Sequence, residues 1–296
     1  MISTSRPRSL AVPAVHDRQR KLLAQRAGSI LYHAVLIGIC IIVLLPLIWM
    51  VSSSLKNNNE IFVNPPRLIP AHPLWSNYPA AWQYIDFWHY FGNTLLVAGF
   101  SVCGTLFSCS LTAYSFARLR WKGRNVVFAL CMGTLMLPFQ VTMIPLYIIY
   151  RHLGWIGTYL PLIVPTFFGN AVYIFLLRQF LLTIPREIEE AADMDGAGPF
   201  STFWRIILPL IKPALSVVAI FSFLDSWQDF LGPLIYLNDP NTFTLSVGLE
   251  SYFSAHATAW AYLMAAAVIF TLPAILVFVV AQRTFIQGIT LTGVKG

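Results

Sequence analysis

The sequence predicts an all-α integral membrane protein with six transmembrane helices, and three observations carry that prediction. Of its 296 residues, 57% are hydrophobic and only 10% charged, with a mean hydropathy of +0.68, whereas a soluble domain carries roughly 25% charge. Six apolar runs are each long enough for a ~30 Å hydrocarbon core, which takes about 20 helical residues. Lysines and arginines are also shared unequally between alternate loops, as the positive-inside rule describes. The length suits one polytopic domain rather than two modules.

Residues 1–29 are basic and polar, with Pro7 and Pro13, and predict a cytoplasmic tail that turns helical near Gln19. The first span, near 30–51, exceeds the ~7–15 residues of a signal-peptide core, and "VSSSLKNNN" after it offers no A-x-A cleavage site, so it is expected to stay as an anchor. Residues 52–89 are expected to form the only long external loop. Pro65, Pro66, Pro70, Pro73 and Pro79 supply turns there, and Trp75, Tyr78, Trp82 and Trp88 suit either an interfacial aromatic belt or a docking surface.

The second and third spans, near 92–117 and 126–150, flank the tight basic turn "RLRWKGR". The fourth, near 159–182, is interrupted by "PTFFGN"; the fifth and sixth lie near 214–237 and 260–281. Pro46, Pro138, Pro145, Pro161, Pro165 and Pro273 fall inside these runs. Membrane helices tolerate them where neighbours re-satisfy the freed backbone groups. Sixteen of the 19 lysines and arginines fall on the side of the amino-terminal tail, against Lys56, Arg67 and Arg151 on the other. Both termini are therefore expected in the cytoplasm. The net charge of +7 reads as a topology signal, not as a nucleic-acid-binding surface. Cys40, Cys103, Cys109 and Cys131 all sit in apolar runs without C-x-x-C spacing and read as core-packing thiols. The six histidines are scattered without ligand spacing, so neither a metal nor another cofactor is expected.

The loop 185–209, "PREIEEAADMDGAGPFSTFWRIILP", is too polar to cross a bilayer. Pro185 suits a first helical turn, Glu187, Glu189 and Glu190 suit the positive end of a helix dipole, and Gly196 suits a stop. This predicts a helix from Pro185 to Asp195. Ile188, Ala191, Ala192 and Asp195 then recur at i, i+3, i+4 and i+7, giving a smooth face that another backbone can approach. Phe200, Phe203, Trp204 and Ile207 repeat that spacing with large apolar groups, as in a helix lying in the membrane interface. Pro209 and Pro213 should bend the chain into the fifth span. In form this is a mechanical coupling element.

The spacing is also specific. Glu190, Ala191 and Ala192, then Gly196, then Ile206, Leu208 and Pro209 reproduce at full spacing the EAA loop of ABC importer permeases. "RHLGWIGTYLPLIVP", "FWRIILPLIKPAL", "TLSVGL", "NTLLVAG" and the terminal "GVKG" widen the likeness over residues 30–296. The chain thus resembles the carbohydrate-uptake permeases similar to the six-span subunit of the maltose system. That resemblance implies the type I importer fold, with residues 30–296 as the permease domain. It implies that Glu190, Ala191, Ala192, Asp195, Gly196, Ile206, Leu208 and Pro209 couple to a cytoplasmic ATPase. It further implies a second permease chain, two ATPase subunits, an extracytoplasmic solute-binding protein and a carbohydrate, polyol or glycerol phosphate substrate. It also implies that the tail "QGITLTGVKG" reaches toward the ATPase pair as an extended segment. The chain has no G-x-x-x-x-G-K-[ST] loop of its own, so ATP hydrolysis is expected on a partner.

Ionisable residues within a membrane mark function by default. Asp225 and Asp229, in "FSFLDSWQDFLGP", stand four apart on one expected helical face, in the outer half of the fifth span, with Trp227 and Gln228 between them. Carboxylates, an amide and an indole are what sugar recognition uses, making these four the translocation-pathway candidates. The alternatives are that the aspartates only bond neighbouring helices or cap a kink at Gly232-Pro233, or that they carry protons in an ion-driven transporter, which would leave the EAA spacing unexplained. A membrane-bound enzyme lacks any catalytic constellation.

Overall fold

The computed structural model describes residues 15–253 and 258–293, with side chains from 28 to 253 and from 258 to 282. Residues 1–14 and 294–296, at the two ends of the chain, lie outside that description. Among the described residues the regular structure is helical, apart from a single bridge between Phe253 and Thr258.

Fifteen α-helices follow in chain order: α1 Val15–Ser54, α2 Asn58–Ile61, α3 Asn77–Tyr84, α4 Phe87–Ala117, α5 Arg124–Gly133, α6 Phe139–His152, α7 Leu160–Ile163, α8 Ala171–Thr183, α9 Glu187–Met194, α10 Pro199–Thr202, α11 Leu208–Leu210, α12 Lys212–Gln228, α13 Leu231–Tyr236, α14 Leu245–Gly248 and α15 Trp260–Gly293. Four stretches are long and apolar enough to cross a bilayer: Gly28–Ser54, Phe87–Ala117, Leu160–Thr183 and Trp260–Gln282. Two bent pairs qualify together, Arg124–Met136 with Phe139–His152 at 101°, and Pro199–Leu210 with Lys212–Gln228 at 78°. Among the described residues this gives four candidate spans, or up to six if each bent pair is counted as one.

The proline chemistry explains where these helices break. Pro138 holds Leu137 out of the helical region, at φ −89° and ψ 110°, because a residue before proline is driven toward extended backbone. The third run is therefore not one straight span, as expected from its continuous apolarity, but two helices at a steep angle. Pro209 and Pro213 flank the 78° bend at Ile211, as the sequence predicts. The fifth span is shorter than expected. Were α12 to run on unbroken through Pro233, the proline ring would collide with the carbonyl of residue 229, four positions back. The chain accordingly leaves the helix at Asp229, with ψ 117°, and the freed carbonyl accepts a hydrogen bond from Ser246 Oγ at 2.6 Å. Residues 229–253 thus form a second long segment of short helices at the end of the bundle that carries residues 55–86. The loop 52–89 is not the only one there.

The long helix α4 is the centre of the bundle, packed against α8 on one side and α12 on another, while α1 lies mainly against α15. Two apolar clusters result. One gathers Tyr114 and Ala117 of α4, Leu177 and Leu181 of α8, Phe203, Ile207 and Ile211, and Val218 of α12. The other, at the far end, joins Ala81, Phe87, Tyr90, Leu245, Tyr252 and Ala266. Gly104 permits a close approach to α4, since any Cβ there would collide with Thr166 and Phe167. The packing also corrects the thiol expectation. Only Cys109 is fully buried, whereas Cys40 and Cys103 are exposed on the outside of the bundle. Helix α15 continues to Gly293, so residues 287–293 are helical where an extended chain was expected, and the rest of that tail, 294–296, lies outside the described residues. The side chains beyond residue 282 lie outside the description.

Candidate functional site

Helix α9 is shorter than predicted, eight residues instead of the span from Pro185 to Asp195. Pro185 precedes the N-cap Arg186. Glu187, Glu189 and Glu190 occupy the first turn, where the unpaired N–H groups favour negative charge. The stop is as predicted: Gly196 sits at φ +81°, its N–H donates to the Asp193 carbonyl at 3.0 Å, and the Ala197 N–H donates to the Ala192 carbonyl at 2.9 Å. This is the two-bond helix end that requires a left-handed residue and so selects glycine.

The predicted smooth face divides in the structure. Ala192 is buried and Ile188 and Glu189 are half-buried against the chain's own bundle, so Ala192 is a packing residue. Glu187, Glu190, Ala191 and Met194 form the free stripe, at i, i+3, i+4 and i+7, with Met194 89% exposed and Asp195 beside it. Glu189 lies 3.4 Å from Arg118 Nε. Burial lifts its carboxyl above the ordinary range, although Arg118 and Arg186 pull the other way.

The aromatic segment that follows divides likewise. Phe203 and Ile207, on a π-turn, are sunk into the α4–α8 cluster with the half-buried Leu208, while Phe200 and Trp204 remain exposed. Ile206 is half-buried and Pro209 is exposed just before the bend. The segment 199–210 is thus nailed to the bundle by two of its large residues. It leads through the bend into α12, a rod of 17 residues, or about 25 Å at ~1.5 Å per residue.

The four pathway candidates stand near the far end of that rod, and the structure separates them. Trp227 is fully buried, stacked between Phe223 and Phe270 at 5.4 and 5.5 Å, with its indole N–H donating to the Phe270 carbonyl at 3.0 Å. It is a core residue and presents no face to a substrate. Trp227→Ala should therefore lower stability by about 3 to 5 kcal/mol, visible as a large drop in the midpoint of thermal unfolding in detergent. Asp225 and Gln228 are exposed, and Asp225 accepts a hydrogen bond from the Tyr173 hydroxyl of α8. Asp229 lies past the helix end, so the aspartates do not share one helical face. Its carboxylate accepts the Gly232 N–H at 3.1 Å, capping α13. The kink-capping alternative thus describes part of what Asp229 does.

Asp229 also lines a cavity of about 310 Å³, together with Phe139, Leu146, Tyr150, Leu162 and Tyr236. Its aromatic wall is rigid: Tyr150 stacks on Trp155 at 5.6 Å, Tyr236 stacks on Tyr147 at 6.4 Å, and the rings of Tyr150 and Tyr236 meet edge to face. The Tyr236 hydroxyl is buried without a hydrogen-bond partner. Sequence reading missed both tyrosines, because an aromatic residue inside an apolar run carries no signal until a helix break places it beside a carboxylate.

The profile described as "Binding-protein-dependent transport system inner membrane component" matches residues 104–291. A probable ABC transporter permease protein, YurM, of Bacillus subtilis (strain 168) is 37% identical over 254 residues, 85% of this chain and 83% of that one. The arabinooligosaccharides transport system permease protein AraQ of the same organism is 38% identical over 210 residues, 71% of this chain and 74% of its own. A crystal structure of a bacterial ABC transporter involved in the import of the acidic polysaccharide alginate contains a chain that superposes with a TM-score of 0.77 at 25% identity, covering 88% of this chain and 97% of that one.

Proposed function

The chain belongs to the family of binding-protein-dependent transport system inner membrane components, and on that premise we propose how it works. It is a multi-pass permease subunit of an ABC importer, and its cargo is a di- or oligosaccharide or a related polyol or glycerol phosphate. In its assembly it pairs with a second permease chain. Two ATPase subunits engage it from the cytoplasm, where both termini lie, and a solute-binding protein delivers cargo on the other side. ATP is hydrolysed on the partner subunits.

One observation supports this reading above the others: a free helical stripe and an aromatic cavity that holds the Asp229 carboxylate occupy opposite ends of one mechanically continuous path. The stripe of α9 offers Glu190, Ala191, Met194 and Asp195 to an ATPase cleft, while Ala192, Phe203 and Ile207 fix the same segment to the bundle. The path continues through Ile206, Leu208 and Pro209 into α12, which ends at Asp229 and the aromatic cavity. A displacement of the stripe therefore turns or tilts α12, widening or narrowing the space around Asp229. That is alternating access driven from the cytoplasmic end. In the cavity Asp229 accepts sugar hydroxyls and the tyrosines supply ring faces.

The test is reconstitution. The cognate binding protein is first screened by thermal shift against disaccharides, an arabinooligosaccharide and sn-glycerol 3-phosphate. Proteoliposomes holding the full complex should then accumulate the stabilising compound only with ATP and binding protein present. Accumulation that needs neither would refute the proposal. Within it, Tyr236→Phe should leave stability unchanged while raising the apparent KM for uptake about fivefold, the value of one hydrogen bond of ~1 kcal/mol. An unchanged KM would exclude the Tyr236 hydroxyl from cargo contact.

A further inference from the structure

The sequence treats Arg118 as one of several charges that set topology. The structure gives it a more particular position. It caps the inner end of α4, where its backbone N–H donates to the Tyr114 carbonyl at 2.9 Å. Its side chain turns away from solvent, 3% exposed, and Nη2 donates to the carbonyls of Leu181 and Ile184 at 2.5 and 2.7 Å. Those oxygens lie at the end of α8, where Pro185 has no N–H to offer the Leu181 carbonyl, the Ile184 N–H reaches it at 3.2 Å instead, and the helix dipole favours a cation. Its Nε faces Glu189 Oε1 of α9 at 3.4 Å, and the carboxylate side chain is itself only 17% exposed. Neither of these two atoms has a hydrogen-bond partner, so they meet as an ion pair alone. One guanidinium thus joins the ends of two spanning helices to the inner side of the helix whose outer stripe is free.

We propose that Arg118 is the positioning residue that makes α9 move as one body with α4 and α8. The inference rests on the coupling role assigned to α9 above. Three properties of the site support it. The fork of guanidinium donors reaches two carbonyls and a carboxylate together, which a single ammonium cannot reproduce. The guanidinium is only 3% exposed, so water has little room to substitute for a lost partner on it. And α4 and α8 pack on each other, with α12 against α4, so motion imposed on α9 reaches the rod that ends at Asp229. Without the tie, α9 keeps its free stripe and still meets the ATPase. Its displacement is then absorbed by the 184–186 hinge before reaching the spans.

The experiment has two arms. In the full chain alone, in lipid nanodiscs, hydrogen exchange of the amides of residues 190–194 should accelerate at least about tenfold in Arg118→Met, and less in Arg118→Lys, as a local opening becomes easier. In the assembled complex, binding-protein-stimulated ATPase activity should fall at least about tenfold in Arg118→Met and several-fold in Arg118→Lys, within the usual range of site-to-site coupling, while the ATPase subunits still co-purify in full. The double variant Arg118→Met with Glu189→Met removes both buried charges and should recover thermal stability without recovering stimulation. Recovery of both would reduce Arg118 to a folding role and overturn the proposal. So would unchanged stimulation in Arg118→Lys, or faster exchange without loss of stimulation. Failure of the underlying coupling reading is separable: an Ala191→Glu complex that assembles and transports normally would displace the docking site from α9, whatever Arg118 does to exchange.

Discussion

Ala191→Glu is expected to leave the chain folded and inserted but to abolish stoichiometric co-purification of the ATPase subunits. Ala191 is exposed on the free stripe of α9, between Glu187, Glu190 and Met194, so a longer side chain there meets only solvent in the isolated chain. In an ATPase cleft the added carboxylate loses its water without gaining a partner, at a penalty of about 2 kcal/mol or more. The bulk also prevents the close backbone approach that alanine allows. Together these weaken docking by well over tenfold. The neighbouring substitution gives the opposite phenotype. Ala192 is buried within the chain's own bundle, so Ala192→Glu should fail at folding or insertion, with loss of protein and not of partner. Gly196→Pro should resemble Ala191→Glu, because proline cannot adopt φ +81° and removes the N–H that closes the end of α9. Equal behaviour of the two alanine variants, by expression level and co-purification, would mean that the stripe is misassigned.

The contrast between Ala191 and Ala192 marks how far the sequence could be read. Element type was legible wherever a long apolar run or a helix stop decided it: up to six spans emerge, and Gly196 ends α9 through the bonds its position predicts. Interruptions within apolar runs were harder, because hydropathy does not distinguish a tolerated proline from a breaking one. Pro46 and Pro273 lie inside continuous helices, while Pro138 turns the chain by 101° and Pro233 ends the fifth span at Asp229. Local sequence does not say which neighbours will re-satisfy the freed carbonyls, and that decides the outcome.

The site divided along the same line. The spacing of residues 190–209 located α9, yet only the packing against α4 and α8 tells which of two adjacent alanines points outward. Trp227 looked like a sugar platform because its neighbours are polar. Its ring lies among Phe91, Phe223 and Phe270, a sandwich assembled from residues far apart in the chain. Arg118 carried no signal beyond its charge, since its hydrogen bonds go to backbone carbonyls that no side-chain pattern reports and its ionic partner, Glu189, lies 71 residues away.

Asp229 carries the second large expected effect, because its substitutions separate an ATP-driven importer from an ion-driven one. Its carboxylate has two duties in the structure, capping α13 through the Gly232 N–H and lining the cavity beside Tyr236. Asp229→Asn retains an acceptor oxygen of similar size. Uptake should fall by the equivalent of ~1 to 2 kcal/mol and stay dependent on ATP. Asp229→Leu has no acceptor, so a buried N–H loses its partner in a low-dielectric bundle and α13 loosens along with the cavity wall. Uptake should become undetectable while the ATPase subunits remain bound, since the damage lies at the opposite end of α12 from the docking stripe. A proton carrier behaves differently: asparagine cannot titrate, so Asp225→Asn and Asp229→Asn would each eliminate coupled uptake, and a protonophore would do the same to the unmodified protein. Proteoliposomes with ATP inside, assayed with and without a protonophore, decide between the two. Protonophore-resistant uptake that survives Asp225→Asn leaves that carboxylate as an acceptor for Tyr173, and a graded loss from asparagine to leucine at position 229 assigns Asp229 to hydrogen bonding in the cavity wall, not to proton transfer.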